Sequence, residues 1–135
     1  MPPPLVWDPS YEVDIGAHVF VTAKYRLTRE RLLADGVVSE EGFTSPVPAT
    51  AEELASVHTS EYLEKVGTGS FSIFEIIQLE VPFTESGRDA MVLMCGGTLR
   101  AARLALEGGL AGHLGGGFHH AFAGHGEGFC LSREA

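Results

Sequence analysis

Two adjacent histidines, His119 and His120, sit within GGGFHHAFAGHGEGFC at 115–130, between a run of glycines and a GFC tripeptide. An imidazole titrates near neutral pH, so one ring can take a proton from water and return it to a leaving group while a second tunes it or stabilises charge. From the residues alone, three uses stay open for such a pair: acid–base catalysis, metal binding, or a structural loop. Gly115, Gly116 and Gly117 permit a sharp turn and close backbone approach to a ligand. Neighbouring side chains in extended backbone point to opposite sides, so the two rings share a partner only where the local turn brings them together.

The other histidines widen the metal alternative without settling it. His113 and His125 lie close in sequence to the pair, which admits a small metal-binding module of His113, His119, His120 and His125, yet no compact HExxH spacing is present. Taken singly, His113 reads as a strand histidine, His125 as a loop histidine, and His18 and His58 as structural. No GxxxxGK[ST], no GxGxxG after a strand and no GxSxG elbow occurs, which argues against a nucleotide cradle or a serine nucleophile. Cys95 and Cys130 are 35 positions apart with no CxxC spacing and read as core or incidental thiols.

The elements around this stretch follow from local signals. LVW at 5–7 reads as a first strand that ends in the DPS turn. Thr22 is placed to cap a helix through Lys24 to about Ala34, with Asp35-Gly36 as its stop, and Val37-Val38 to begin an extended piece. TSPVPAT is a loop because each proline biases its predecessor away from helix. Thr50 and Glu53 form a capping box, and Thr59 or Ser60 caps a further helix carrying Tyr62, Leu63 and Val66. SFSIFEIIQLEVPF at 70–83 fits either a strand or a buried helix.

Ser86 to Glu107 is the clearest long helix, with Met91, Met94, Cys95, Thr98, Ala101, Ala102 and Ala105 on one face. Its Gly96-Gly97 pair costs about 1 kcal/mol per residue against alanine, which a close neighbour would offset; a kink is the other explanation. LAGHL at 110–114 then reads as a short buried strand feeding the glycine turn. Helix, strand and glycine loop in this rhythm indicate an α/β fold, with His119 and His120 just beyond the carboxyl end of a strand, where open α/β sheets place their sites.

The chain of 135 residues is expected to form one domain. Nine basic against eighteen acidic residues give a net charge of −9, which repels phosphate backbones and anionic lipid, so neither nucleic acid nor membrane is an expected partner. The longest strictly apolar run, MVLMC at 91–95, is far shorter than a membrane span. With no basic leader in MPPPLVWDP and no disulfide framework, the expected location is cytoplasmic.

GGGFHHAFAGHGEGFC closely resembles the tandem-histidine segment of the zinc-dependent histone deacetylase family, including its bacterial deacetylase-like and acetylpolyamine or acetoin-utilisation relatives. PVPATAEELASVHTSEYLEKV, where a proline-rich entry precedes H-x-x-x-Y, and GGTLRAARLALEGG before the glycines support the resemblance, which runs from about residue 5 to Cys130. It implies a partial arginase/deacetylase-like three-layer α/β fold with a mostly parallel sheet. His119 resembles the first histidine of the pair, which tunes electrostatics and helps hold the water. His120 resembles the second, the general base. Gly128 and Phe129 resemble the wall of the narrow acyl-lysine channel, and Phe118 reads as a packing residue. His18 lies where members commonly carry a histidine followed by proline; Val19 departs from that pattern.

The resemblance further implies amide hydrolysis of acetyl-lysine or a related acetylamine, in which zinc polarises the carbonyl and a tyrosine stabilises the oxyanion. In the family the metal is held by an Asp-x-His segment and a later Asp, all after the GFC motif. Here GFC is followed by LSREA, and no residue is assigned as metal ligand: Asp8, Asp14, Asp35 and Asp89 do not match, nor do Tyr11, Tyr25 and Tyr62 match the family tyrosine. The expectation is that 1–135 is the amino-terminal portion of such a domain, truncated and inactive alone, with zinc belonging to the complete domain. The alternative is a noncatalytic fragment or subunit that self-associates or binds a complementing chain.

Overall fold

A computed structural model describes residues 1–133. In chain order the elements are β1 (Leu5–Val6), α1 (Ala23–Ala34), β2 (Phe43–Thr44), α2 (Ala51–Ala55), α3 (Ser60–Thr68), α4 (Ile73–Leu79), α5 (Glu85–Gly108) and β3 (Gly112–His113). The strands run parallel in the order β2-β1-β3, with Leu5 opposite Phe43 and Gly112, and Val6 opposite Thr44 and His113.

Residues in register share a sheet face, which fixes the layers. Val6 and His113 look toward α5, where a Cβ on Gly97 would stand 2.3 Å from His113 Nε2. On the opposite face the Arg29 guanidinium of α1 sits 4.5 Å from the Trp7 ring centre and 4.9 Å from that of Phe43. Helices therefore flank both faces of a small parallel sheet, the α/β arrangement that the resemblance to arginase/deacetylase-like proteins implies. No helix among the described residues is long and apolar enough to cross a membrane.

The glycine pair in α5 is explained by close approach. A Cβ on Gly96 would fall 1.7 Å from the Val47 carbonyl oxygen, and one on Gly97 would meet the Tyr11 hydroxyl at 2.3 Å. The proline-rich loop and the Tyr11 turn thus press directly on the helix backbone, and α5 continues unbroken past both. Burial is confined to its first half, from Gly87 to Gly97; Ala102, expected on the apolar face, is exposed.

Several local expectations shift. Thr22 precedes α1 but makes no side-chain cap; its hydroxyl donates to the Val13 carbonyl at 2.7 Å and accepts from the Val13 amide at 3.1 Å, tying down the loop before the helix. Val37-Val38 forms no strand; the paired residues are Phe43–Thr44. The Thr50 capping box is present, and Thr59, rather than Ser60, caps α3. Within the 70–83 stretch, Ile73–Leu79 forms the helix α4, opened by a Ser72–Glu75 capping box. It is not a buried helix: Ile73, Phe74 and Ile77 are 71%, 79% and 67% exposed. The LAGHL strand shortens to Gly112–His113 and is half-buried.

Candidate active site

The chain leaves β3 through the glycine turn, where the Tyr25 hydroxyl of α1 donates to the Gly116 carbonyl. Phe118 then drops into the core against Phe20, with ring centres 5.0 Å apart. Burying Phe118 leaves the next two residues at the surface, and the backbone brings their rings together: the His119 and His120 centroids are 4.3 Å apart at 50°. The opposed orientation of an extended segment is not adopted.

The second wall comes from a tight turn. Glu127 and Cys130 exchange backbone hydrogen bonds of 3.1 and 3.0 Å, and the two residues between them have positive φ, 54° at Gly128 and 59° at Phe129. This is the φ signature of a mirror-image hairpin turn, which glycine adopts freely and phenylalanine does not. Holding Phe129 there costs about 1–3 kcal/mol, offset by its amide donating to the Leu79 carbonyl at 2.8 Å and by its ring packing on Phe20 at 5.0 Å. The turn delivers Gly128 against His120 and sets the Phe129 ring 5.9 Å from the His120 ring, nearly perpendicular.

All four anticipated residues, His119, His120, Gly128 and Phe129, line one open cleft of about 530 Å³. Glu80, Phe122, Glu127 and Arg133 also border it; no motif singled them out. His18, read from the sequence as structural, and Phe20, which no motif marks, support the same wall. The His18 ring lies 4.7 Å from that of Phe129, and Phe20 touches both Phe118 and Phe129, so the loop before α1 backs the same wall. The position of His18 opposite a family histidine was the signal available in the sequence.

The remaining histidines are occupied elsewhere. His113 Nε2 is 2.8 Å from the Tyr11 hydroxyl and its Nδ1 is 3.2 Å from Thr98 Oγ1; burial pushes its pKa down to about 4, so the ring is neutral. It faces α5, away from any metal module with the tandem pair. His125 meets the Glu127 carboxylate at 3.0 Å and stacks on Phe122 with ring centres 4.5 Å apart. Among the described residues no group of three or more histidine, cysteine, aspartate or glutamate side chains could hold a metal ion.

The H-x-x-x-Y motif underlies the site. His58 is buried, with Nδ1 3.1 Å from the Phe122 carbonyl and Nε2 accepting the Arg133 amide at 3.0 Å. The Thr59 amide donates to the Ala123 carbonyl at 2.9 Å, and the Tyr62 hydroxyl donates to the Leu131 carbonyl. Three side or main chains at the start of α3 thus hold both ends of the segment that carries the Gly128-Phe129 turn.

Known proteins resemble the chain along nearly its whole length. The histone deacetylase domain matches residues 18–135. An uncharacterised Picosynechococcus protein is 35% identical over 97% of this chain and 44% of its own length. The acetoin utilization protein AcuC of Bacillus subtilis is 30% identical over 96% of this chain and 37% of its own. Histone deacetylase 2 of Arabidopsis thaliana is 30% identical over 93% and 35% respectively. The chain therefore spans less than half the length of these relatives. With the family match extending over most of the sequence, including the tandem histidines and the GFC turn, the chain belongs to the histone deacetylase domain family.

Proposed function

We propose that this chain supplies the water-activating imidazole pair and one channel wall of a zinc-dependent deacetylase-type site that hydrolyses an acetyl-lysine or related acetylamine amide. The observation that carries the reading is the shared cleft in which His119 and His120 lie ring against ring beside Gly128 and Phe129. His120 takes the proton of the attacking water, a step worth about 10²–10⁴ in rate. His119 holds that water and offsets the charge that builds on its neighbour. The Phe129 ring flanks the methylene stem of the acyl-lysine, and Gly128 keeps the floor beside His120 clear of a side chain.

The described residues do not by themselves fit zinc, since no cluster of ligands is present among them. In this reading, zinc in the complete family domain is held by side chains outside residues 1–133, and an oxyanion donor likewise comes from elsewhere. The chain alone, as the amino-terminal portion of the domain, then turns over no acetylamine. Supplied with zinc and an acetyl-lysine peptide, the purified chain should release no acetate. A chimera in which it replaces the matching segment of the Arabidopsis histone deacetylase should release acetate. Deacetylation by the isolated chain, or a folded chimera without activity, contradicts the reading.

A noncatalytic, associating role is the second reading. It is favoured by the solvent-exposed Ile73, Phe74 and Ile77 on one short helix, a contiguous apolar face of the kind that marks an interaction surface. Self-association and a complementing chain are the two partners consistent with it.

A further inference from the structure

We propose that His58 is a positioning residue of the tandem-histidine cleft: as a neutral imidazole it clamps the two ends of the 121–133 segment to each other, and its protonation releases one end. The placement of its two nitrogens determines its form. Nδ1 faces the carbonyl oxygens of Phe122 and Ala123 at 3.1 and 3.4 Å, which only accept, so Nδ1 carries the proton. Nε2 receives the Arg133 backbone N–H at 3.0 Å and so must be bare. One ring therefore donates to the residue two positions after His120 and accepts from the residue four positions after Phe129. Both clamped residues, Phe122 and Arg133, line the cleft with His119 and His120.

A merely space-filling histidine would not need both contacts. An alanine at this site removes a donor from a carbonyl and an acceptor from an amide at once. A charged imidazolium keeps the first and loses the second, because a protonated Nε2 faces the Arg133 N–H donor to donor. The groups around the ring oppose one another, and burial prevails: it holds the His58 pKa below the ordinary histidine range against the upward pull of the Ala123 and Phe122 carbonyls, with the Arg133 charge adding a smaller downward push. From α3 the ring faces Tyr62, with centroids 5.2 Å apart, whose hydroxyl is itself pushed well above its usual range, mainly by burial. The clamp is thus closed at neutral pH and opens on acidification.

The consequence for catalysis rests on the reading of His119 and His120 as the working pair, but the clamp itself is tested without turnover. Histidine ring resonances of the labelled full chain are followed by NMR from pH 8 downward, with the Arg133 amide. In wild type, the His119 and His120 ring resonances should show a second step at the midpoint at which the His58 ring protonates, and the Arg133 amide should shift at that same midpoint. In His58→Gln, whose carbonyl accepts but does not titrate, the second step and the Arg133 shift should vanish. In His58→Asn, which retains only the donor toward Phe122, the Arg133 amide should lie at its acid-limit position at every pH. Ring resonances at 119 and 120 that show no step at the His58 midpoint in wild type overturn the proposal, whatever the variants do. An inactive chimera with an intact second step would instead overturn the functional reading alone.

Discussion

Gly128 lies directly against His120: a Cβ there would stand 3.3 Å from His120 Cβ and 3.4 Å from its Cγ and Cδ2, on a residue whose φ is +54°. Two independent constraints, the left-handed backbone and the close imidazole, therefore disfavour a side chain at one position. Gly128→Ala should lower stability by about 1–2 kcal/mol through the backbone alone and should also move the His120 ring. Thermal unfolding reads the first effect and the His120 ring resonance the second. An unchanged His120 signal would show that the wall is not packed as described.

The α5 glycines give a sharper contrast. Gly96→Ala drives a Cβ into the Val47 carbonyl oxygen at 1.7 Å, a backbone group with no rotamer to yield, and should cost about 3 kcal/mol or more. Gly67→Ala, in α3 with nothing within 4 Å of its would-be Cβ, should stabilise by about 0.4–1 kcal/mol. Urea unfolding of the two variants should therefore move the midpoint in opposite directions.

These cases also separate what the sequence makes legible from what it does not. The Thr50 and Ser72 capping boxes are closed within four residues, so local spacing carries both, although the strand-or-helix ambiguity of 70–83 masks the second. Thr22 has the same chemistry, but its hydroxyl is taken by Val13 nine residues back, and a local rule points it at the helix instead. The need for Gly96-Gly97 comes from Val47, Tyr11 and His113, distant in the chain, so the sequence marks an anomaly without its reason. The site divides in the same way. His119, His120, Gly128 and Phe129 lie within one motif and are readable as a set. The backing of Phe129 by His18 and Phe20 spans more than a hundred residues and has no periodic signal.

Acid should loosen the fold through His113. Its pKa is depressed to about 4 by burial against about 6.5 in the unfolded chain, so the unfolded state binds the extra proton first. The resulting stability is fully present above about pH 6.5 and is lost as pH falls through about 4. The Glu75 carboxyl, held to about 2 chiefly by its hydrogen bond with Lys65, loses its contribution only at lower pH. Denaturant midpoints measured from pH 8 to 3 should decline over the His113 window. The decline should be shallower in His113→Asn, with the residue attributable to His58. Parallel curves for the two proteins would remove His113 from the account.

The apolar face of α4 predicts association. Sedimentation velocity should show self-association that Phe74→Glu and Ile77→Glu abolish, with thermal stability little changed because both side chains already stand in water. A wild-type protein that stays monomeric at high concentration would leave a complementing chain, and not a second copy, as the partner of this face.

The imidazole at position 120 is tested most directly in the zinc-loaded Arabidopsis chimera, by acetate release from an acetyl-lysine peptide. His120→Ala should lower kcat/KM by about 10² or more, with zinc content and fold unchanged. Activity within about threefold of the parent chimera would contradict a proton-accepting role for His120 and, with it, the function proposed for the cleft.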